Sequence, residues 1–256
     1  MSATTYLTIS GVNKRFGGLQ ALRDCSFSIG PGKIICLVGP NGAGKTTVFN
    51  AITGFLKADS GEVSFKEHRL TGKRPQAIVR LGVARTFQNL RLFTDLTALD
   101  NVVSALPDQF GEEPIGATFR PFRTSRAQKA LRDRAAAILS DVGLSARSDD
   151  FVRNLSYGEQ KLLSIARVLA TGAELLLLDE PTSGLSGDAL ESVMALLRRL
   201  RGQGRSQLVV EHNTRVVQQI ADEVLFLHQG HVMAQGHPQT IIADPALAEI
   251  YFGGAL

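Results

Sequence analysis

The sequence predicts an α/β fold with antiparallel strands at its N-terminal end and a helical insertion in its middle. Three observations carry that expectation. An apolar run, Ile34 to Val38, leads into a glycine loop and then a helix-forming segment. A second apolar run, Leu175 to Leu178, ends in two carboxylates, and between the two runs the apolar spacing changes from strand-like to helical. At 256 residues, 44% of them hydrophobic, the chain is long enough to bury a full core.

In chain order, Leu7 to Ser10 and Ala21 to Ile29 read as strands, the second with alternating apolar residues. Gly30-Pro31-Gly32 is a turn, and Lys33 to Val38 is a buried strand. A helix follows from Lys45 to Thr53, with Gly54 as its C′ residue. From Thr97 to Ser148 the pattern is largely helical: Ala127, Ala130, Leu131, Ala135, Ile138, Leu139 and Val142 mark one face, Ser125 is the expected N-cap and Gly143 the stop. Pro107 to Pro121, rich in proline and glycine, predicts an irregular loop. The α/β rhythm then resumes with a helix over Tyr157 to Leu169, the Leu175 to Leu178 strand, a helix over Gly187 to Arg201, a strand over Gln207 to Val210 and a short helix over Val216 to Ala221. Val224 to His228 and His231 to Ala234 form a hairpin across Gln229-Gly230, and His237 to Tyr251 one or two short helices. No internal repeat is visible, so a single nucleotide-type module is expected.

Composition narrows the class. The longest apolar runs fall far short of the roughly 18 residues of a membrane span, and Met1 to Thr5 lacks a basic segment followed by an apolar one, which predicts a cytosolic chain. Cys25 and Cys36 lie in strand-like segments without metal-ligand spacing and read as buried reduced thiols. A formal net charge of +4 is compatible with nucleotide, nucleic acid or a membrane-side partner and selects none of them. The basic stretch Arg120, Arg123, Arg126, Lys129, Arg132 and Arg134 reads as a solvated helix face.

Gly39-Pro40-Asn41-Gly42-Ala43-Gly44-Lys45-Thr46-Thr47 fits G-x-x-x-x-G-K-[ST] in full, between a strand and a helix as a P-loop requires. Backbone N–H groups of such a loop point at phosphate oxygens, Lys45 reaches the β- and γ-phosphates of ATP, and the Thr46 hydroxyl ligates Mg²⁺. Asp179 and Glu180 stand at the carboxyl end of a buried strand, where ligands of open α/β sheets bind. Asp179 is expected in the Mg²⁺ shell and Glu180 as the general base that polarises water. Ser156-Tyr157-Gly158-Glu159 has the S-x-x-E pattern of a capping box, and a helix start of this kind is also an anion site.

Taken together, these motifs resemble the ATP-binding subunit of an ABC transporter over essentially the whole chain. Leu155 to Gln160 matches that family's LSGGQ signature, Gln88 in Thr86-Phe87-Gln88 its Q-loop, and His212 after Val210-Glu211 its switch histidine. The resemblance implies a RecA-like P-loop core. Gln88 would sense Mg²⁺ and water, His212 would contact the γ-phosphate, and Phe16 would stack on adenine. It also implies one ABC ATPase domain over 1–256, with a nucleotide-binding core at 1–88 and 155–236, a helical subdomain at 89–154 and a C-terminal helical tail at 237–256. Arg85 to Phe93, the Leu155-Ser156-Tyr157-Gly158 form and the ending Ile250-Tyr251-Phe252-Gly253 are similar to the LivG-type subgroup of importers for branched-chain amino acids and related hydrophobic or amide substrates.

That resemblance implies integral membrane permease subunits as partners; Asn89, Leu90, Leu92 and Phe93 could seat a short permease helix or equally be buried under the insertion. It further implies a second ATP-binding subunit, identical or different, and indirectly a periplasmic solute-binding protein, with no nucleic acid. The expected location is peripheral, on the cytoplasmic face of the cell membrane. A lipopolysaccharide-export ATPase and a soluble ABC ATPase acting on ribosomes or DNA are the competing readings. The chain departs from the family pattern where Gly184-Leu185 is followed by Ser186 in the D-loop, and where Asn213 follows His212.

Overall fold

The computed structural model describes residues 6–107 and 121–252. In chain order its elements begin with β1 (Leu7–Phe16), β2 (Leu19–Ile29), β3 (Ile34–Val38), α1 (Lys45–Ile52), β4 (Ser60–Phe65), β5 (His68–Arg69), α2 (Pro75–Arg80) and β6 (Val83–Arg85). Then come α3 (Ala98–Val103), α4 (Pro121–Asp141), α5 (Tyr157–Ala170), β7 (Leu175–Asp179), α6 (Gly187–Gly202), β8 (Ser206–Val210), α7 (Thr214–Ile220), β9 (Glu223–His228), β10 (His231–Gly236), α8 (Pro238–Ile242) and α9 (Pro245–Phe252). The chain divides into two compact units, one of Met1–Arg85, Glu174–Ser183 and Met194–Leu256, the other of Thr86–Ala173 and Gly184–Val193.

The first unit holds both sheets. The antiparallel one runs β2-β1-β4-β5, and the other runs β10-β9-β3-β8-β7-β6, parallel except for the β9/β10 hairpin. Residues alternate faces along each central strand, so Ile35 and Leu37, Leu175 and Leu177, and Leu208 and Val210 join Leu7, Ile9, Phe27, Val63 and Phe65 in one core together with Phe49 and Ile52 of α1. The opposite-face residues Ile34, Cys36, Leu176, Leu178 and Val209 are buried too, which explains why these strands read as unbroken apolar runs rather than alternating ones. Both cysteines are free and buried; burial pushes the Cys25 thiol up to about 12 and raises Cys36 as well, so neither supplies thiolate near neutral pH.

Most sequence-predicted elements are present, with instructive differences. β1 continues past Ser10 to Phe16 because pairing with β2 resumes after register shifts beyond Ile9, and Asn13-Lys14-Arg15 conceal it by breaking the apolar alternation. β4, β5, α2 and β6 were not anticipated, being short and, apart from β6, largely exposed. α1 ends at the C-cap Thr53 with Gly54 at φ +71, as the glycine position suggested.

The second unit is helical, and within it α3, α4 and α5 pack together. α5, allotted from sequence to the nucleotide-binding core, belongs to this group. α4 begins at Pro121, so Ser125 falls inside the helix rather than capping it; proline is well placed to open a helix because its missing N–H needs no partner there. Ala135, Leu139 and Val142 are buried on the expected face, but Ala130 is exposed. Residues 108–120 of the expected irregular loop, and Arg120 of the basic stretch, lie outside the described residues. Arg126, Lys129, Arg132 and Arg134 are solvent-facing, with Arg132 3.2 Å from Asp100. Among the described residues no helix is long and apolar enough to cross a membrane.

Phe65 is fully buried, with its ring edge-on to Tyr6 at 4.8 Å between centroids. Truncating it removes contacts that join β4 to the shared core, so Phe65→Ala is expected to lower unfolding free energy by about 3–5 kcal/mol in urea titrations, and Phe65→Leu by distinctly less.

Candidate functional site

The Gly39 to Thr47 loop joins β3 to α1 and thereby sits at the carboxyl edge of the parallel sheet. Gly39 adopts φ +148, and a Cβ there would lie 2.0 Å from the Leu227 carbonyl oxygen, so only glycine lets the loop turn so close to β9. Lys45, 8% exposed, donates from Nζ to the carbonyl oxygens of Gly39 (2.7 Å) and Pro40 (2.9 Å), folding its ammonium back over the loop. Burial lowers the Lys45 pKa, against opposing pulls from Glu180 and Asp179, which places two carboxylates within its electrostatic reach. Asn41, Gly42 and Thr46 are exposed, and Pro40, Gly44 and Thr47 half-buried; Ala43 packs inward.

At the end of β7, Asp179 forms an ion pair with Arg85 at 3.2 Å, both side chains 6% exposed. Arg85 also donates to Asn50 Oδ1 of α1 at 2.6 Å and lies over the Phe49 ring, tying the helix after the loop to the acidic strand end. Glu180 takes φ +48, which a side-chain-bearing residue holds only under constraint. Its N–H donates to Val210 O at 3.0 Å, and its Oε1 lies 2.9 Å from His212 Nε2. The expected base and switch histidine are therefore brought into direct contact. Asn213 accepts from the N–H groups of Arg215 and Val216 as the N-cap of α7, a role in which asparagine matches aspartate. Phe16 is 50% exposed at the end of β1, with Lys14 Nζ over its ring at 5.6 Å from the centroid.

In the second unit, Ser156 Oγ accepts from Glu159 N–H (3.3 Å) while Glu159 Oε2 accepts from Ser156 N–H (2.7 Å), the capping box read from the sequence. Burial works against ionisation of Glu159, but hydrogen bonds from Ser156 and Arg147 outweigh it and hold the carboxyl below its usual range. The box consumes two donors and leaves the N–H groups of Tyr157 and Gly158, which helix geometry gives no acceptor, at the positive end of α5. A Cβ on Gly158 would come 3.0 Å from that of Ala189, so its lack of side chain brings α5 against the start of α6. Tyr157 and Ser186 are exposed.

Gln88 and Asn89 are exposed, Leu90 and Leu92 half-buried, and Phe93 is again exposed. This segment is bracketed by Asn101, fully buried, which donates to Phe93 O and accepts from Phe93 N–H at 3.0 Å each, and by Arg167, which donates to Arg91 O at 2.6 Å and lies under the Phe93 ring. Sequence reading missed Asn101 and Arg167 as holders of the segment, and missed Arg85 and Glu211 in the first unit. Only Arg85 and Glu211 gave any signal, as charged residues at otherwise apolar strand ends.

The donor set fits Mg²⁺. The Thr46 hydroxyl and the Asp179 carboxylate are hard oxygen ligands of the kind that cation takes beside phosphate and water.

Known proteins resemble this chain over most of its length. The ABC transporter family pattern matches residues 22–183. The high-affinity branched-chain amino acid transport ATP-binding protein LivG of Salmonella typhimurium is 38% identical over 97% of this chain and 98% of its own length. The corresponding protein BraF of Pseudomonas aeruginosa is 34% identical over 97% and 98%. Among solved structures, the nucleotide-free form of an ATP-binding cassette from an ABC transporter superposes with TM-score 0.84 at 30% identity over 96% of this chain and 98% of that one. The ADP conformation of an ABC transporter cassette gives 0.84 at 30% over 97% and 99%.

The buried pair provides a test of the strand-end architecture. Removing one partner strands a charge, so Arg85→Ala is expected to destabilise the chain by about 3–5 kcal/mol. A double-mutant cycle with Asp179→Asn, read by chemical denaturation, is expected to give a coupling of about 1–3 kcal/mol.

Proposed function

The chain belongs to the ABC transporter family, and from that premise we propose that it is the ATP-hydrolysing subunit of an importer for branched-chain or related hydrophobic amino acids or amides. What carries the reading is end-to-end similarity to LivG and BraF proteins, together with the meeting of Glu180 and His212 beside the P-loop. Its partners are integral membrane permease subunits and a second ATP-binding subunit, more fittingly a different chain than a copy of this one. A periplasmic solute-binding protein acts upstream. The chain sits peripherally at the cytoplasmic face of the membrane.

In this reading the residues divide the work as follows. The loop from Gly39 to Thr47 wraps the phosphates with backbone N–H groups, and Lys45 exchanges its neutral carbonyl acceptors for anionic phosphate oxygens. Phe16 stacks on the adenine. Thr46 and Asp179, with Gln88, would hold Mg²⁺, which would neutralise charge on the β- and γ-phosphates. Glu180 accepts a proton from the attacking water, and His212 orients Glu180 through the 2.9 Å contact and faces the γ-phosphate. Ser156, Tyr157, Gly158 and Glu159 present the positive end of α5 to ATP held by the partner cassette, so two cassettes close around nucleotide and reopen after hydrolysis. Asn89, Leu90, Leu92 and Phe93 receive the permease. The nucleotide-binding core is 1–88 with 155–236, in which α5 packs on α3 and α4 of the helical subdomain 89–154, and the tail is 237–256.

Glu180→Gln keeps the side chain's shape and removes its basicity. ATP binding is expected to persist while turnover falls by about 10²-fold or more, and undiminished hydrolysis in a phosphate-release assay refutes the assignment of the base. Cells lacking the chain are expected to lose uptake of labelled leucine, isoleucine or valine and to regain it with the intact gene but not with the Glu180→Gln form; retained uptake refutes the substrate class.

A further inference from the structure

We propose that Glu211 is a positioning residue that fixes Glu180 and His212 in working register by clamping the turn after β7; the inference deepens the hydrolytic reading of Glu180 and rests on it. Glu211 Oε1 accepts two hydrogen bonds from Thr182, one from its N–H at 3.1 Å and one from its hydroxyl at 2.7 Å. The residues on either side of Glu211 also reach toward the turn. Val210 O accepts from Glu180 N–H at 3.0 Å, and His212 Nε2 meets Glu180 Oε1 at 2.9 Å. Three consecutive residues leaving β8 thus hold Glu180 and Thr182, with Pro181 between them offering no N–H of its own.

The energetics show why a carboxylate in this place calls for a role. Glu211 is 2% exposed, and taking a carboxylate out of water costs several kcal/mol unless donors surround it. Burial raises its pKa, while the bonds from Thr182 and the His212 N–H counteract that rise. An apolar residue would fill the strand end at lower cost but would leave the Thr182 donors unmet. Glu180 meanwhile holds φ +48, a conformation that costs about 1–3 kcal/mol and persists only where its surroundings enforce it. The Glu211–Thr182 clamp supplies that enforcement on one side of Glu180, as Val210 does on the other.

The test uses the full chain and reads position separately from turnover. ¹⁵N spectra of labelled histidine, with the His212 ring assigned by His212→Gln, report the Nε2 contact directly. Glu211→Ala is expected to abolish the hydrogen-bonded Nε2 signal. It is also expected to slow ATP hydrolysis by about 10–100-fold, with affinity for a fluorescent ATP analogue kept within about twofold. Glu211→Gln, which keeps an acceptor oxygen, is expected to retain the signal and to stay within about threefold of parent turnover. Should Glu211→Ala fail to fold, Thr182→Val removes the shorter bond and is expected to give the same changes in smaller measure. An unchanged His212 signal in Glu211→Ala or Thr182→Val, an equal loss in Glu211→Gln, or a turnover loss matched by lost nucleotide affinity overturns the proposal. If Glu180→Gln hydrolyses ATP normally while Glu211→Ala still displaces the His212 signal, the base assignment fails and the positioning role stands.

Discussion

The register of β7 against β8, in which Asp179 stands opposite Val210, is the constraint on which the rest of the carboxyl edge depends. Because β3 lies on the other side of β8, that register sets the acidic strand end one strand away from the P-loop. Asp179 is consequently within reach of Arg85 from β6, and Arg85 within reach of Asn50 from α1. The chain then leaves β7 through Glu180 at a positive φ, which no strand residue would adopt, and turns toward the residues following β8. A slip of one residue would reverse the faces of β7, turning Leu175, Leu177 and Asp179 away from the core shared by the two sheets and Leu176 and Leu178 toward it.

The sheet is held by burial on both faces, and this had a cost for reading the chain. Fully buried parallel strands carry long apolar runs that are visible without any structure, so β3, β7, β8 and β9 could be located from Ile34, Leu175, Gln207 and Val224 onward. The strands of the antiparallel sheet lack such runs. β4 and β5 expose much of their surface, and β1 carries its polar stretch through a set of register shifts, so their pairing was not legible in composition. The start of α4 was misjudged for a different reason. Proline and serine are both helix openers, and Pro121 prevailed over Ser125.

At the site, legibility followed the length of the motif. The P-loop, the Asp179-Glu180 pair and the Ser156 capping box are contiguous, and each lies at the place in the fold that its residues predict: between β3 and α1, at the end of β7 and at the start of α5. The supporting residues are scattered: Arg85, Arg167 and Glu211 act through partners far away in sequence that only folding brings to them, and Asn101 holds Phe93, eight residues before it. Asn213 shows the converse. Its departure from the expected aspartate is neutral for helix capping, because either side chain offers the oxygen that the first turn of α7 requires.

The turn anchored by Thr182 has a mechanical consequence. One segment of the first compact unit ends at Ser183 and a segment of the second begins at Gly184, so the backbone passes from one to the other just beyond Thr182. A pull transmitted along the D-loop from the start of α6 meets that anchorage before it reaches Glu180. The clamp therefore acts as a strain relief: load arriving along the chain is taken up by the two Thr182–Glu211 hydrogen bonds before it reaches the carboxylate beside His212.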